Sequence, residues 1–187
     1  MAAYPNVADN WPAICTAATA WGIDHPLVLI GMLGTIAKES GTLYPVRESW
    51  WVWDKDPEAA KRYYKDTTKH AAYAGGTGWE YHGRGYVQTT HIHNYRVVQD
   101  HLESIGIKVE IVDNPDLLLR AEYAAHALCI YFKTHGYPYG GMVKACLEQR
   151  WVDVRTGVYG AYDADGVAKI KHAEAVLLPL AKERGLV

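Results

Sequence analysis

The sequence predicts a mainly helical α+β fold with one small β element, and three observations carry that expectation. Apolar residues recur at helical spacing in segments closed by glycine or preceded by capping residues. One stretch, Tyr81 to Thr90, departs from this pattern and carries Gly83 and Gly85, which allow tight backbone geometry for a short strand or hairpin. The 187 residues are 49% hydrophobic and 21% charged, as in an ordinary globular protein, with no repeat, low-complexity tract or linker. A single domain over residues 1–187 is therefore expected, with length enough to bury a substantial core.

Taken in order, residues 8–21 read as a first helix ending before Gly22. Asp24 offers an N-cap with Pro26 in the first turn, and Leu27 to Lys38 continue as a second helix terminated near Gly41. Its near-continuous apolar character predicts a central position. Pro57 to Lys69 reads as a polar, exposed helix, and Ala74 to Gly78 as a loop or sharp turn. After the glycine-bearing stretch, Asn94 to Ser104 is helical and closes at Gly106. Asn114-Pro115 opens another segment. Ala121 to His135 is a strong helix stopped by Gly136, followed by a shorter helix near Met142–Gln149 and a last one from about Val167 to Arg184.

Charge and composition remove several classes of function. The net charge is −2 with histidine neutral, so there is no basic field to bind nucleic acid. No Lys/Arg-rich amphipathic stretch suggests a membrane surface, and the longest apolar run, Pro26 to Ala37, is too short to span a bilayer. Residues 1–20 contain Asp9 and neither Lys nor Arg, so the charged start of a secretory signal is missing. Cys15, Cys129 and Cys146 are an odd number set among apolar neighbours, which predicts buried, reduced thiols rather than a disulfide scaffold. The aromatics are unusual: 14 Tyr, 7 Trp and one Phe. Tyr and Trp pair an apolar face with a polar tip, which suits stacking on sugar rings as well as core filling.

Cutting a glycosidic bond generally requires two carboxyl groups, one giving a proton to the leaving oxygen and one activating water or attacking the sugar. Glu39 lies at the C-terminal end of the most hydrophobic helix, where an apolar surround and the negative end of the helix dipole would both favour its protonated form. An ordinary surface glutamate is the alternative. Glu48 follows nine residues later in Val46-Arg47-Glu48-Ser49-Trp50, a stretch too short for independent structure but able to fold back towards Glu39. Alone, it reads equally as half of an exposed Arg–Glu pair.

A third element joins these two. Tyr81-His82-Gly83-Arg84-Gly85-Tyr86-Val87-Gln88-Thr89-Thr90 and then Asn94-Tyr95 resemble the signature of family 19 glycoside hydrolases, the chitinases of that family and, closer still, its bacteriophage endolysin relatives. Upstream, Lys38-Glu39-Ser40-Gly41 is similar to the segment holding the family's catalytic Glu, and Val46-Arg47-Glu48 resembles the second acidic position of the endolysin branch. Downstream, Asn114-Pro115-Asp116-Leu117-Leu118 and the Ala-rich helix reaching Phe132 are similar to the family's segment C-terminal to the signature. The resemblance spans about residues 24–136, with its motifs in the family's order.

The resemblance implies a lysozyme-like, two-lobed helical domain with a small β-hairpin and an inverting mechanism. Glu39 would be the general acid, Glu48 the general base, and Thr90 would hold the attacking water. Gln88 and Asn94 would bind sugar, with further substrate contacts at Tyr86, Tyr95 and Arg84, although Arg84 by its own chemistry suits an ion pair fixing the glycine turn. It implies a peptidoglycan polysaccharide as partner, a monomer and no cofactor. It also implies a phage lysin that stays in the bacterial cytoplasm until released to the wall, or one that rides on the virion. Where many members carry Asn-Gly-Gly, this chain has Arg155-Thr156-Gly157-Val158-Tyr159-Gly160, with Tyr159 in place of the Asn. Other readings are a chitinase acting on N-acetylglucosamine polymers, a non-catalytic wall-binding module, and a zinc amidase or peptidase suggested by His82, His91, His93 and His101. The last lacks a His-Glu-x-x-His spacing.

Overall fold

The computed structural model describes residues 7–48, 56, 58–59, 61–62, 79–136 and 141–186. Seven helices are formed among them: α1 (Val7–Ala20), α2 (Pro26–Glu39), α3 (Ile92–Ser104), α4 (Ala121–Thr134), α5 (Met142–Leu147), α6 (Trp151–Tyr159) and α7 (Ala164–Glu183), with a 3-10 turn at Pro115–Leu119. Two short strands, β1 (Val46–Arg47) and β2 (Arg84–Gly85), pair antiparallel with Val46 opposite Gly85 and Arg47 opposite Arg84. The fold is thus mainly helical with one β element. The polar helix expected at residues 57–69 and the loop at 74–78 lie outside the described residues, apart from Glu58, Ala59, Lys61 and Arg62, which are helical.

Helix α2 is central because its sequence leaves no polar face to turn outward. Every residue from Leu27 to Ile36 except Leu29 is buried. Its N-cap is His25 rather than Asp24: the His25 side chain accepts a hydrogen bond from the Leu27 amide at 3.2 Å, while Asp24 accepts from Thr19 Oγ1 at 3.0 Å. Helix α7 crosses α2 at Gly34, where an added Cβ would lie 2.5 Å from the Cα of Ile170. The two backbones touch there because neither an alanine nor anything larger fits.

Two apolar clusters form the interior. The larger gathers Ile14, Val28, Met32, Ile36, Phe132, Trp151 and Ile170 around α2; the smaller gathers Tyr95, Val98, Leu102, Ile111 and Leu118. Helix α4 serves both, giving Ala124, Leu128 and Phe132 to the first and Ala127 and Ile130 to the second. An alanine-rich helix apolar on opposite sides can be shared by two cores in this way.

The glycine-bearing stretch supplies the short strand expected of it: Arg84–Gly85 pairs with Val46–Arg47, and a bridge between Arg84 and Thr89 closes the turn. Two elements differ from the sequence expectation. Helix α3 begins at Ile92, two residues early. Helix α6 was not anticipated at all, although Trp151, Val154 and Val158 pack inward at helical spacing and Gly160 ends it in the left-handed conformation. Among the described residues no helix is long and apolar enough to cross a membrane. Cys129 and Cys146 are buried, which pushes both thiols up to about 12; Cys15 is only half-buried.

Candidate active site

Glu39 ends helix α2, and its carboxylate meets a guanidinium rather than the purely apolar surround expected from the sequence. Arg155 Nη2 donates to Glu39 Oε1 at 2.6 Å and to Asp163 Oδ2 at 2.6 Å, while Arg155 Nε donates to the same Asp163 oxygen at 2.9 Å. The Arg155 side chain is 0% exposed, Asp163 9% and Glu39 23%, so solvent reaches this network chiefly at Glu39. A fully buried cation survives only with such partners. Asp163 also caps α7, accepting from the Gly166 amide at 3.0 Å. Residue 166 must be glycine, since a Cβ there would lie 2.2 Å from both Arg155 Nε and Asp163 Oδ2. Burial alone would push the Asp163 carboxyl up; the Gly166 amide and Arg155 outweigh it and hold the group below its usual range.

Glu48 is fixed by the glycine turn. Its amide donates to the Gly83 carbonyl at 2.7 Å, and its Oε2 accepts from the Gly83 amide at 3.0 Å. Gln88, in the left-handed region at φ 53°, spends both amide protons on the carbonyls of Val46 (3.1 Å) and Gly85 (3.0 Å), leaving only its oxygen as an acceptor. Thr90 Oγ1 gives its single proton to the Gln88 carbonyl at 2.8 Å, so it can only accept from a ligand. Asn94 Nδ2 donates to the Thr90 carbonyl at 2.8 Å, keeping one proton and its oxygen.

Arg84, Tyr86 and Tyr95 lie behind this surface. Arg84 Nε pairs with Asp116 at 2.7 Å, and Nη1 donates to the Glu80 and His82 carbonyls and to the Tyr95 hydroxyl. Tyr95 donates onward to the His82 carbonyl at 2.8 Å. Tyr86 and Tyr95 are wholly buried, and burial pushes both phenols up to about 12. None of the three lines the cavity into which Glu39 opens; they lie behind the turn that presents Gln88 and Thr90.

That cavity has a volume of about 560 Å³, well within the range of ligand pockets. It brings together Glu39, Gln88, Thr90 and Asn94, four of the residues singled out in the sequence. Glu48 is not part of the lining; it stands beside it, against Gly83, where an added Cβ would lie 3.2 Å from Glu48 Oε2 and 2.7 Å from Gln88 Oε1. Sequence reasoning missed Tyr131, Thr134 and His135, which also line the cavity, and Arg155 behind Glu39. Tyr131 and His135 sit four apart and stack at 3.8 Å with an interplanar angle of 10°. That i, i+4 aromatic spacing was a usable signal, whereas Arg155 carries no local motif. Among the described residues no three of His, Cys, Asp and Glu gather closely enough to hold a metal ion.

No protein-family profile matches the chain, and no curated protein matches it in sequence. Among solved structures it is similar to a mutant chitinase C, with a TM-score of 0.65 and 18% identity over 89% of this chain and 83% of that one. Chitinase C from Streptomyces griseus HUT6037 aligns with a TM-score of 0.62 and 19% identity over 89% of this chain and 67% of the other. A bacterial family 19 chitinase, described as differing from plant enzymes, gives 0.61 and 18% over 88% and 83%. At these identities the likeness is one of fold: the chain has the mainly helical fold of these family 19 chitinases.

Proposed function

We propose that this chain is an inverting glycoside hydrolase that cleaves β-1,4 bonds of bacterial peptidoglycan, in the manner of a phage lysin. The observation that carries the reading is a carboxylic acid, Glu39, opening into a ligand-sized cavity that Gln88, Thr90 and Asn94 also line. Glu39 is the general acid that protonates the leaving oxygen, and Arg155 sets the direction in which its carboxyl points. Glu48 is the general base. Because Thr90 has already committed its proton to Gln88, a water in the site would donate to both Thr90 and Glu48, turning a lone pair towards the anomeric carbon. Attack by that water on the face opposite the leaving oxygen is what makes such a reaction inverting, and it requires room for the water between the two carboxyl groups.

A peptidoglycan substrate is favoured by the endolysin-like segment at Val46-Arg47-Glu48; chitin is favoured by the identity of the structural neighbours. Digestion of purified cell wall and of chitin oligomers, followed by mass spectrometry of the fragments, separates them. New reducing ends on wall glycan support the lysin reading and name the sugar, N-acetylglucosamine or N-acetylmuramic acid, at which the bond is cut. Cleavage of chitin alone replaces it with a chitinase. Free amino ends alone would indicate an amidase or peptidase. An intact wall bound by the protein would indicate a binding module.

A further inference from the structure

In the cavity that Glu39 lines, the end of helix α4 presents an imidazole whose hydrogen-bonding sense is set by its neighbours. Thr134 Oγ1 lies 2.8 Å from the Ile130 carbonyl and 2.9 Å from His135 Nδ1. A carbonyl can only accept, so the single hydroxyl proton of Thr134 is directed to Ile130. Towards His135 the hydroxyl therefore accepts, and Nδ1 carries the proton. In the neutral ring Nε2 is then a bare acceptor. One face of the ring is covered by Tyr131, stacked at 3.8 Å, and Tyr131 is itself anchored by its hydroxyl to the Gly157 and Val158 carbonyls at 3.3 and 3.4 Å. With Nδ1 turned to Thr134 and one face against Tyr131, the Nε2 edge and the outer face are what the ring offers to the cavity it lines.

We propose that His135 is a substrate-binding residue, accepting at Nε2 a hydrogen bond from an N–H or O–H of a 2-acetamido sugar bound in the Glu39 cavity. The assignment deepens the glycosidase reading and rests on it for the identity of the ligand. Thr134 already accepts from His135 while donating to Ile130, and the Tyr131 hydroxyl is turned to the α6 carbonyls, so His135 Nε2 is the nitrogen acceptor that the end of α4 offers. The stack and the hydroxyl lock make the acceptor preorganised, so little rotamer freedom is lost on binding. Burial, only partly opposed by the Tyr131 backbone carbonyl, holds the imidazole below its ordinary value and keeps it in the neutral form that can accept.

The test uses the full chain carrying Glu39→Gln, which keeps a saccharide intact, labelled with 15N and titrated with tri-N-acetylchitotriose. Long-range proton–nitrogen spectra are expected to show His135 protonated on Nδ1, with its Nε2 resonance moving upfield as the trisaccharide saturates. A proton on Nε2, or an Nε2 resonance unmoved at saturation, overturns the proposal. In the Glu39-intact chain, His135→Phe keeps an aromatic stack but removes the acceptor, while His135→Gln restores one near the Nε2 position. On whichever glycan the unaltered chain cleaves, His135→Phe is expected to raise KM about tenfold with kcat changed little, and His135→Gln to recover most of that. Equal KM values for His135→Phe and the unaltered chain would overturn the assignment. Absence of cleavage on every glycan removes the proposed function, yet the trisaccharide titration still decides His135, because binding needs no turnover.

Discussion

At the scale of single residues, the chemistry concentrates where a buried cation meets a half-buried acid. Glu39 alone among the Arg155 partners reaches the cavity, while Asp163 completes the charge balance from behind. Replacing Glu39 with Gln removes a proton donor but not a hydrogen-bonding side chain. Turnover should fall by roughly 100- to 10,000-fold while glycan binding persists, as read by single-turnover kinetics alongside calorimetry. Asp163→Ala is a different kind of change. It takes the cap from α7 and leaves the buried guanidinium one acceptor short, so it should cost on the order of 3 kcal/mol in chemical unfolding. Both glutamates and the Gln88–Thr90 pair were visible in the sequence, because motif spacing encodes them. Arg155 and Asp163 were not, since what selects Arg155 is a contact made across 116 residues of chain to Glu39, and what selects Asp163 is Arg155.

Histidines supply a further residue-scale outcome. His82, His126 and His135 are each held below the ordinary value of 6.5, in every case chiefly by burial. His126 Nδ1 accepts from Trp21 Nε1 at 2.9 Å, an arrangement only the neutral ring can make. Their stabilising contribution is therefore complete above pH 6.5. It is lost as the pH falls below that value, because the unfolded chain takes up protons that the folded one refuses. Thermal melting from pH 8 to pH 5 should show a declining midpoint beginning near 6.5, accompanied by a change in Trp21 fluorescence; a midpoint flat through that window would contradict it.

Among the elements, α2 and α7 depend on one point of backbone contact. Gly34→Ala inserts a methyl group 2.5 Å from the Ile170 Cα, and backbone cannot swing aside as a side chain can. The substitution should destabilise the protein by about 1–3 kcal/mol, measured by denaturant titration, with Glu39 displaced along with its helix. The ends and apolar faces of α1, α2, α4 and α5 were legible because local signals decide them: Pro26 at a helix start, glycine at 41 and 136, a continuous apolar run. The partner of the Gly83–Gly85 turn was not, since strand pairing with Val46–Arg47 is a choice between distant segments that two-residue strands cannot advertise. Helix α6 escaped notice for a related reason: its Gly157, where an added Cβ would lie 3.2 Å from the Gly136 Cα, reads as a loop residue in isolation.

Over the whole molecule, the arrangement of two apolar clusters about α4 explains why a cavity exists where it does. Ala127 and Ile130 belong to one cluster, Val87 to the other, and all three line the space into which Glu39 opens. The family 19 chitinase fold followed from the sequence motifs, and the solved neighbours share it. If two carboxyl groups act from opposite sides of one sugar, the anomeric configuration of the first product reports it most directly. Proton NMR of a glycan digest, recorded within the first minutes, should show the α-anomer accumulating before mutarotation, and no product with Glu39→Gln. Initial release of the β-anomer, or undiminished turnover without the Glu39 carboxyl, would contradict it.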